Sequence, residues 1–233
     1  MRLKELMLLL SRAELSNLKV VDKEEECGIR EEDQDLVINL ITEGLDKIYS
    51  RFYLKEDSIY LEVINGKVTY DITSNHLMDR TLEADYDHYL WKPGEIVFND
   101  DILRILRIID STGVELPLNN PEKSNSVFTP LYNRIDISNL NKELELEIIY
   151  ASKHPELSLE TNPVIELPLS LIPAIRAYVA YVIHMNMNTE NAVQNAQKYL
   201  QQYNLILAEN IESGMPDTKY DDRACKFILG GWV

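Results

Sequence analysis

The sequence has 233 residues, 45% of them hydrophobic and 27% charged, a composition that is typical of a globular protein and excludes a wholly disordered chain. Its formal net charge of −16 excludes general nucleic-acid binding, because such binding depends on lysine and arginine side chains that replace the counterions of the phosphates. Such a charge is consistent with soluble subunits that repel one another and repel DNA, although plain solvation of the surface is the more usual explanation of it.

Cysteine usage and hydropathy predict an intracellular, non-membrane protein. Cys27 and Cys225 form no C-x-x-C pair, which argues against a zinc ribbon or a redox motif and predicts two free thiols in a reducing cytosol. The apolar stretch near Met1 is too short and interrupted for a signal peptide. The most apolar segment, 167–187, contains two prolines, an arginine and a histidine, so we expect a buried helix rather than a membrane span.

Helical spacing of apolar residues predicts the first two helices, at 2–12 and 32–53. The acidic stretch 22–35, with Gly28 at its middle, is predicted to be a solvated loop that leads into the second helix. Gly44 lies in the apolar stripe of that helix and costs about 1 kcal/mol relative to alanine. We therefore expect another backbone to approach closely at Gly44.

The middle of the chain, about 57–152, predicts an antiparallel β region inserted between helices. Alternating runs at 57–63 and 67–72 flank Asn65-Gly66, the strongest short-range signal for a β-hairpin. Residues 73–100 show no regular period. The other predicted strands are 103–109, with a partner that begins at 114–116, then 127–129, 134–137 and 144–150.

Two helices and a tail close the chain. Ser170 is predicted to cap a helix over 170–186, with Pro173 in its first turn. Thr189 is predicted to cap the last helix, 189–213, which Gly214 ends. The tail, 216–233, joins a polar spacer to an apolar end, and either folds back on its own domain or docks on a neighbouring chain. Its candidate docking residues are Phe227, Ile228, Leu229, Trp232 and Val233.

Candidate catalytic or metal-binding residues are few. The sequence has no glycine-rich phosphate loop, no nucleophile elbow and no zinc-binding helix motif. Asp85, Asp87 and His88, with His76 and Asp79 upstream, are residue types that hold zinc or a hard cation, but in an irregular acidic stretch they are more typical of a solvated surface loop. His184 is predicted to be a core histidine. We expect no enzymatic activity, no cofactor and no metal; a metal-dependent enzyme that uses this loop is the alternative.

Several stretches together resemble the head-to-tail adaptor, or connector ring, of tailed bacteriophages, a virion protein family that includes tail tubular protein A. The resemblance covers most of residues 2–214 and rests on pattern rather than on a catalytic signature. It is carried by 12–18 (RAELSNL), 39–56 (NLITEGLDKIYSRFYLKE), 105–113, 115–121, 126–130 and the closing block of two helices, 167–214, with its AYVAY motif.

The resemblance implies an α+β fold: a bundle of about four helices over 1–215, an inserted antiparallel β region and an extended C-terminal arm, 216–233. It further implies a ring of twelve copies beneath the portal protein, at the head–tail junction of a virion assembled in the host cytoplasm. Neighbouring copies, the portal and downstream tail proteins would be the partners, the arm would dock on the portal or a neighbour, and the genome DNA would pass through the lumen without sequence-specific contact. Another head-completion or tail-terminator component is the alternative, which copy number per virion would distinguish.

Overall fold

The computed structural model describes residues 1–79, 83–94, 98–137, 145–187 and 189–215. These residues have an α+β fold with four α-helices and two antiparallel sheets. The chain divides into two compact units. The helical unit comprises residues 1–53 and the described residues from His154 onward, and the β unit comprises Leu54–Lys153. In the sequence, the β unit therefore interrupts the helical unit.

The third helix lies at the centre of the helical unit. The helices are α1, Leu3–Arg12; α2, Glu31–Arg51; α3, Ile172–Met185; and α4, Glu190–Glu212. Helices α1, α2 and α4 all pack against α3. Eight of the fourteen residues of α3 are buried, which explains why it is apolar around most of its girth. None of the described helices is long and apolar enough to cross a membrane.

Helices α2 and α3 approach each other closely at Gly44. A Cβ atom on Gly44 would lie 2.4 Å from Cδ1 of Ile175 and 2.7 Å from Cδ1 of Tyr178. The sequence predicted close approach of another backbone, and this detail is wrong. The glycine instead makes room for two α3 side chains, so α2 carries no side chain where α3 carries large ones.

The acidic stretch before α2 is only partly a solvated loop. Val21 and Ile29 form an antiparallel bridge, and Cys27, Gly28 and Ile29 are buried. The prediction of a solvated loop over 22–35 is therefore wrong for 27–29, because burial of the Cys27 and Ile29 side chains holds this part against the helical unit. From Glu31 onward the chain is helical, one residue before the predicted start of α2 at 32. The three acids in the first turn of α2 lie at its positive end, as expected.

The last two helices begin differently. The Thr189 hydroxyl accepts a hydrogen bond from the Ala192 amide at 3.3 Å, which confirms the predicted cap of α4. The predicted Ser170 cap of α3 is wrong. A 3₁₀ turn, Leu169–Leu171, runs directly into α3, so Ser170 lies inside a turn and Leu171 takes the cap position without a side-chain bond. Pro173 does lie in the first turn of α3.

We expect Thr189→Ala to lower the free energy of unfolding of the helical unit by about 1 kcal/mol, because the Ala192 amide loses its only side-chain acceptor at the start of α4. Thr189→Ser retains the hydroxyl and is the matched control. Thermal unfolding followed by far-ultraviolet circular dichroism measures both variants. Equal melting temperatures for the alanine and serine variants would show that the cap contributes nothing.

The β unit contains two antiparallel sheets around one apolar core. One sheet has the strand order β3-β1-β7-β4 and the other β2-β6-β5. A second 3₁₀ turn, Ser74–His76, follows β2. The strands are β1, Glu56–Glu62; β2, Thr69–Asp71; β3, Leu90–Trp91; β4, Ile102–Asp110; β5, Val127–Leu131; β6, Arg134–Ile137; and β7, Glu145–Ser152.

The predicted hairpin of β1 and β2 is wrong. Strand β1 pairs with β7 over seven residues, and β2 pairs with β6 in the other sheet. The Asn65-Gly66 turn exists, with a bond from the Lys67 amide to the Ile64 carbonyl at 3.1 Å. However, only Gly66 has positive φ, at 84°; Asn65 is not among the described residues with positive φ. A tight hairpin of type I′ needs positive φ at both central residues, and a turn with positive φ at the second one alone splays the flanking strands.

Strand β4 buries every third residue rather than every second. Its buried residues are Ile102, Ile105 and Ile108, in the repeated sequence Ile-Leu-Arg-Ile-Leu-Arg-Ile. The register with β7 shifts twice, between Ile102 and Arg104 and between Ile105 and Arg107. Each shift is a β-bulge that inserts one extra residue. Each bulge therefore lengthens the normal repeat of two residues to three, so that Ile102, Ile105 and Ile108 all face the core.

Candidate functional site

The outward face of α4 is exposed, with three glutamates near its ends, Glu190, Glu209 and Glu212, and a stretch between them that contains few charges. Helix α4 buries one narrow seam, which consists of Ala192, Ala196, Tyr203, Leu207 and Asn210. Between Asn191 and Ala208 the only charged residue is Lys198. At the chain's average of 27% charged residues, a stretch of eighteen would contain about five. We define the α4 face as the exposed stripe opposite the seam: Gln194, Lys198, Gln201, Leu205 and Ala208.

Amides dominate the surroundings of the α4 face. Asn195, Gln197, Gln202 and Asn204 flank it and are exposed. The apolar member, Leu205, exposes 59% of its surface. An amide side chain both donates and accepts hydrogen bonds and carries no charge to desolvate. The face is therefore suited to contact with another polar, uncharged surface.

Aromatic rings join α3 to α4 behind this face. Tyr178 lies against Tyr203, with ring centroids 5.6 Å apart, and His184 stacks on Tyr199 at 5.5 Å. His184 is only 7% exposed, so its predicted position in the core is confirmed. Such ring contacts stabilise a helix pair beyond the area that they bury. Helix α4 is therefore held firmly along its inner side and presents its outer side in a fixed orientation.

One hydrogen-bond network links α3 to α2. The Tyr178 hydroxyl donates to Oε1 of Glu43 at 2.7 Å, and Lys47 Nζ approaches the same oxygen at 3.0 Å. These two donors, with the hydroxyl the stronger influence, hold the pKa of Glu43 below its ordinary value. Because a lowered folded-state pKa stabilises the fold only while the carboxylate is ionised, this contribution is lost as the pH falls through the folded pKa of Glu43.

A cationic and aromatic cluster covers the outer edge of β2. Lys67 Nζ lies 3.8 Å from the ring centroid of Tyr89. The His76 ring also stacks on the Tyr89 ring, with the two centroids 4.7 Å apart. The Tyr89 hydroxyl donates to the Asp71 carbonyl at 3.1 Å. Burial raises the pKa of Tyr89 to about 12, so the hydroxyl remains a donor at neutral pH. The cluster occupies backbone groups of an edge strand that would otherwise be open to pairing.

The predicted metal-binding loop is organised by hydrogen bonds within itself. Asp85 Oδ1 accepts hydrogen bonds from the backbone amides of His88, at 2.6 Å, and Asp87, at 2.8 Å. These bonds, the one from His88 first, hold the pKa of Asp85 below its ordinary value. His76 Nδ1 lies 2.6 Å from the Asp87 carbonyl oxygen. Within the described ranges no group of three or more histidine, cysteine, aspartate or glutamate side chains is placed to hold a metal ion. The loop uses its carboxylate to close a turn.

A buried lysine network in the β unit was missed by the sequence analysis. Lys92 is 6% exposed at its side chain, and its Nζ donates to Asp57 Oδ2 at 2.6 Å and to the Tyr150 hydroxyl at 3.2 Å. The Tyr150 hydroxyl in turn donates to Asp101 Oδ1 at 3.2 Å. Asp57 and Tyr150 are paired across β1 and β7. Nothing in the sequence near Lys92 signals the network, because its members meet only through strand pairing.

The predicted docking residues lie outside the part of the chain that the structure describes. These residues are Phe227, Ile228, Leu229, Trp232 and Val233. Cys225 lies outside it as well, whereas Cys27 is a buried free thiol.

Comparison with known proteins identifies no relative. No protein-family model matches the chain, and no curated protein gives a significant match.

Proposed function

We propose that this chain is a structural protein of a tailed-phage virion, which forms a ring beneath the portal and connects head to tail. The observation that carries the proposal is the plan of the chain: its two ends contribute helices that pack around α3, and an antiparallel β unit is inserted between them. This is the plan that the sequence resemblance implies. In the proposed ring the four helices act as a bundle, and 216–233 act as a docking arm.

The charge of the chain supports the proposed passage of DNA. At −16 per copy, a ring of such subunits repels the phosphate backbone, so DNA would pass its lumen without adhering. The apolar residues of the arm supply the attraction for the portal or a neighbour, at about 25 cal/mol per Å² of apolar surface buried. Repulsion from DNA and attraction between proteins thus reside in different parts of the chain.

The test mixes the purified chain with the portal protein of the same phage and examines the particles by electron microscopy and native mass. We expect a ring on the portal. Deletion of 217–233 should abolish binding, because the arm carries the apolar docking residues. A full-length variant with serine at Phe227, Ile228, Leu229 and Trp232 should also fail to bind. The matched control changes only the polar spacer, as Asp217→Asn, Asp221→Asn and Asp222→Asn, and should bind normally.

Two outcomes would contradict parts of this proposal. Unchanged binding of the truncated chain would exclude a docking role for the arm. Failure of the intact chain to form any particle with its portal would exclude the adaptor function itself.

A further inference from the structure

We propose that a cavity between α1 and the loop that precedes α2 binds a small organic anion, with Arg12 and Lys23 as its cationic contacts. The cavity has a volume of 340 Å³, which lies within the range of pockets that hold small molecules. All of its lining residues belong to the helical unit. The inference goes beyond the proposed function and does not depend on it.

Arg12 and Lys23 are exposed cations that the described part of the chain leaves without a partner. Within that part neither side chain makes a hydrogen bond or an ion pair, although the chain has 39 acidic residues against 23 basic ones. The nearest carboxylate in sequence, Asp22, instead accepts the Glu24 amide at 3.0 Å. Both cations line the cavity, and no described residue that lines it is acidic. The cavity therefore presents two uncompensated positive charges.

The end of α1 does not occupy the Arg12 guanidinium. A basic side chain in the last turn of a helix can bond to the last carbonyl groups. In α1 the Ala13 amide donates to the Leu9 carbonyl at 3.1 Å. The Ser11 hydroxyl donates to the Leu8 carbonyl at 2.9 Å. The guanidinium, which has five N–H donors in a planar fork, is therefore available to an oxyanion.

The walls of the cavity are fixed by contacts within the protein. Ser11 and Gly28 lie against each other in its lining: a Cβ atom on Gly28, whose φ is 73°, would lie 2.1 Å from the Ser11 hydroxyl oxygen. Glu14 Oε1 pairs with Arg176 Nη2 at 2.7 Å and ties the segment after α1 to α3. Binding therefore has to order only the two cationic side chains, which limits its entropic cost.

The lining favours an anion that also has an apolar part. Arg12 and Lys23 can form charge-assisted hydrogen bonds to a phosphate or carboxylate group. Leu8 and Val21 supply apolar surface beside them, and Ser16 adds a hydroxyl. An inorganic ion would meet only the polar groups, whereas a hydrocarbon portion would also bury the apolar lining. A phosphate monoester or a carboxylate with a small hydrocarbon group meets both requirements.

Phenyl phosphate is the probe, because it joins an anionic phosphate to one aromatic ring. Phenol and inorganic phosphate each carry one of these two parts and are the matched ligands. Differential scanning calorimetry measures the rise in melting temperature with ligand concentration, which gives each dissociation constant. We expect a dissociation constant on the order of millimolar for phenyl phosphate and at least about tenfold weaker binding of the other two. No stabilisation by phenyl phosphate, or equally tight binding of phenol or inorganic phosphate, would overturn the proposal.

Matched variants locate the binding. Arg12→Gln/Lys23→Gln removes the two cations of the cavity, and Lys123→Gln/Lys198→Gln removes two exposed cations elsewhere. We expect the first variant to bind phenyl phosphate at least about tenfold more weakly than the wild type, and the second to bind it normally. Equal weakening of both would indicate net charge rather than this cavity and would overturn the proposal.

A charge-conserving variant separates a lost contact from a damaged fold. Arg12→Lys/Lys23→Arg keeps both positive charges and should bind phenyl phosphate within a few-fold of the wild type. Binding as weak as that of the glutamine variant would contradict a role for the two charges. The chain alone is used throughout, so these results and the portal assay are independent: failure of either proposal leaves the other in place.

Discussion

Lys92→Met is expected to lower the free energy of unfolding of the β unit by about 3 kcal/mol. Methionine has a similar length but no charge, so the variant leaves Asp57 without the ammonium that lies 2.6 Å away. It also removes the donor that reaches the Tyr150 hydroxyl at 3.2 Å. A buried ion pair contributes little net stability when both partners are replaced, but removal of one partner leaves an uncompensated charge.

A double-mutant cycle separates this effect from simple loss of packing. Asp57→Asn removes the charge of the partner, and the combined variant should lose much less than the sum of the two single losses. Denaturant unfolding is followed by the fluorescence of Trp91, in a Trp232→Phe background that leaves Trp91 as the sole tryptophan. A Lys92→Met variant as stable as the wild type would mean that the network contributes nothing to stability.

Gly44→Val is expected to destabilise the helical unit by about 3 kcal/mol. The added Cβ alone would lie 2.4 Å from Ile175 Cδ1 and 2.7 Å from Tyr178 Cδ1, so these side chains must move, and the larger valine side chain also pushes α2 and α3 apart. Displacement of Tyr178 also breaks its hydrogen bond to Glu43. Overpacking of a tight contact forces side chains off their preferred rotamers and shifts the backbone.

The control for helix propensity is Leu36→Val, at a position of α2 that is 48% exposed, which should cost well under 1 kcal/mol. A rescue variant adds Ile175→Val to Gly44→Ala, because valine lacks the Cδ1 atom that meets the new methyl group. We expect the pair to be more stable than Gly44→Ala alone. Urea unfolding followed by circular dichroism measures all of them, and a Gly44→Val variant as stable as Leu36→Val would refute the close contact.

The helical spacing of apolar residues, together with capping residues, predicted most of the helices correctly. Helices α1 and α2 start within about two residues of their predicted positions. Thr189 caps α4, and His184 is buried as expected. These features follow from the sequence because their physical causes lie close together along the chain. One cause is the apolar spacing along a helix face. The other is a capping hydroxyl that accepts a hydrogen bond from the amide three residues later.

Strand pairing and the polar networks depended on the tertiary structure. The alternating runs on either side of Asn65-Gly66 are both present, but β1 pairs with β7 and β2 with β6. A period of two establishes which face of a strand is apolar and leaves its partner open, since any strand of suitable length offers the same backbone donors and acceptors.

The sequence by itself thus determined the helices, the acidic character of the chain and the stretch 191–208 without acidic residues. Only the tertiary structure decided that Lys92 meets Asp57 and Tyr150, that Gly44 accommodates Ile175, and that the stretch 191–208 is exposed on one side. The physical reason is range: helix period and caps arise from neighbours along the chain, whereas strand partners, close helix contacts and buried charge pairs join residues that are far apart in sequence and meet only when the whole core packs.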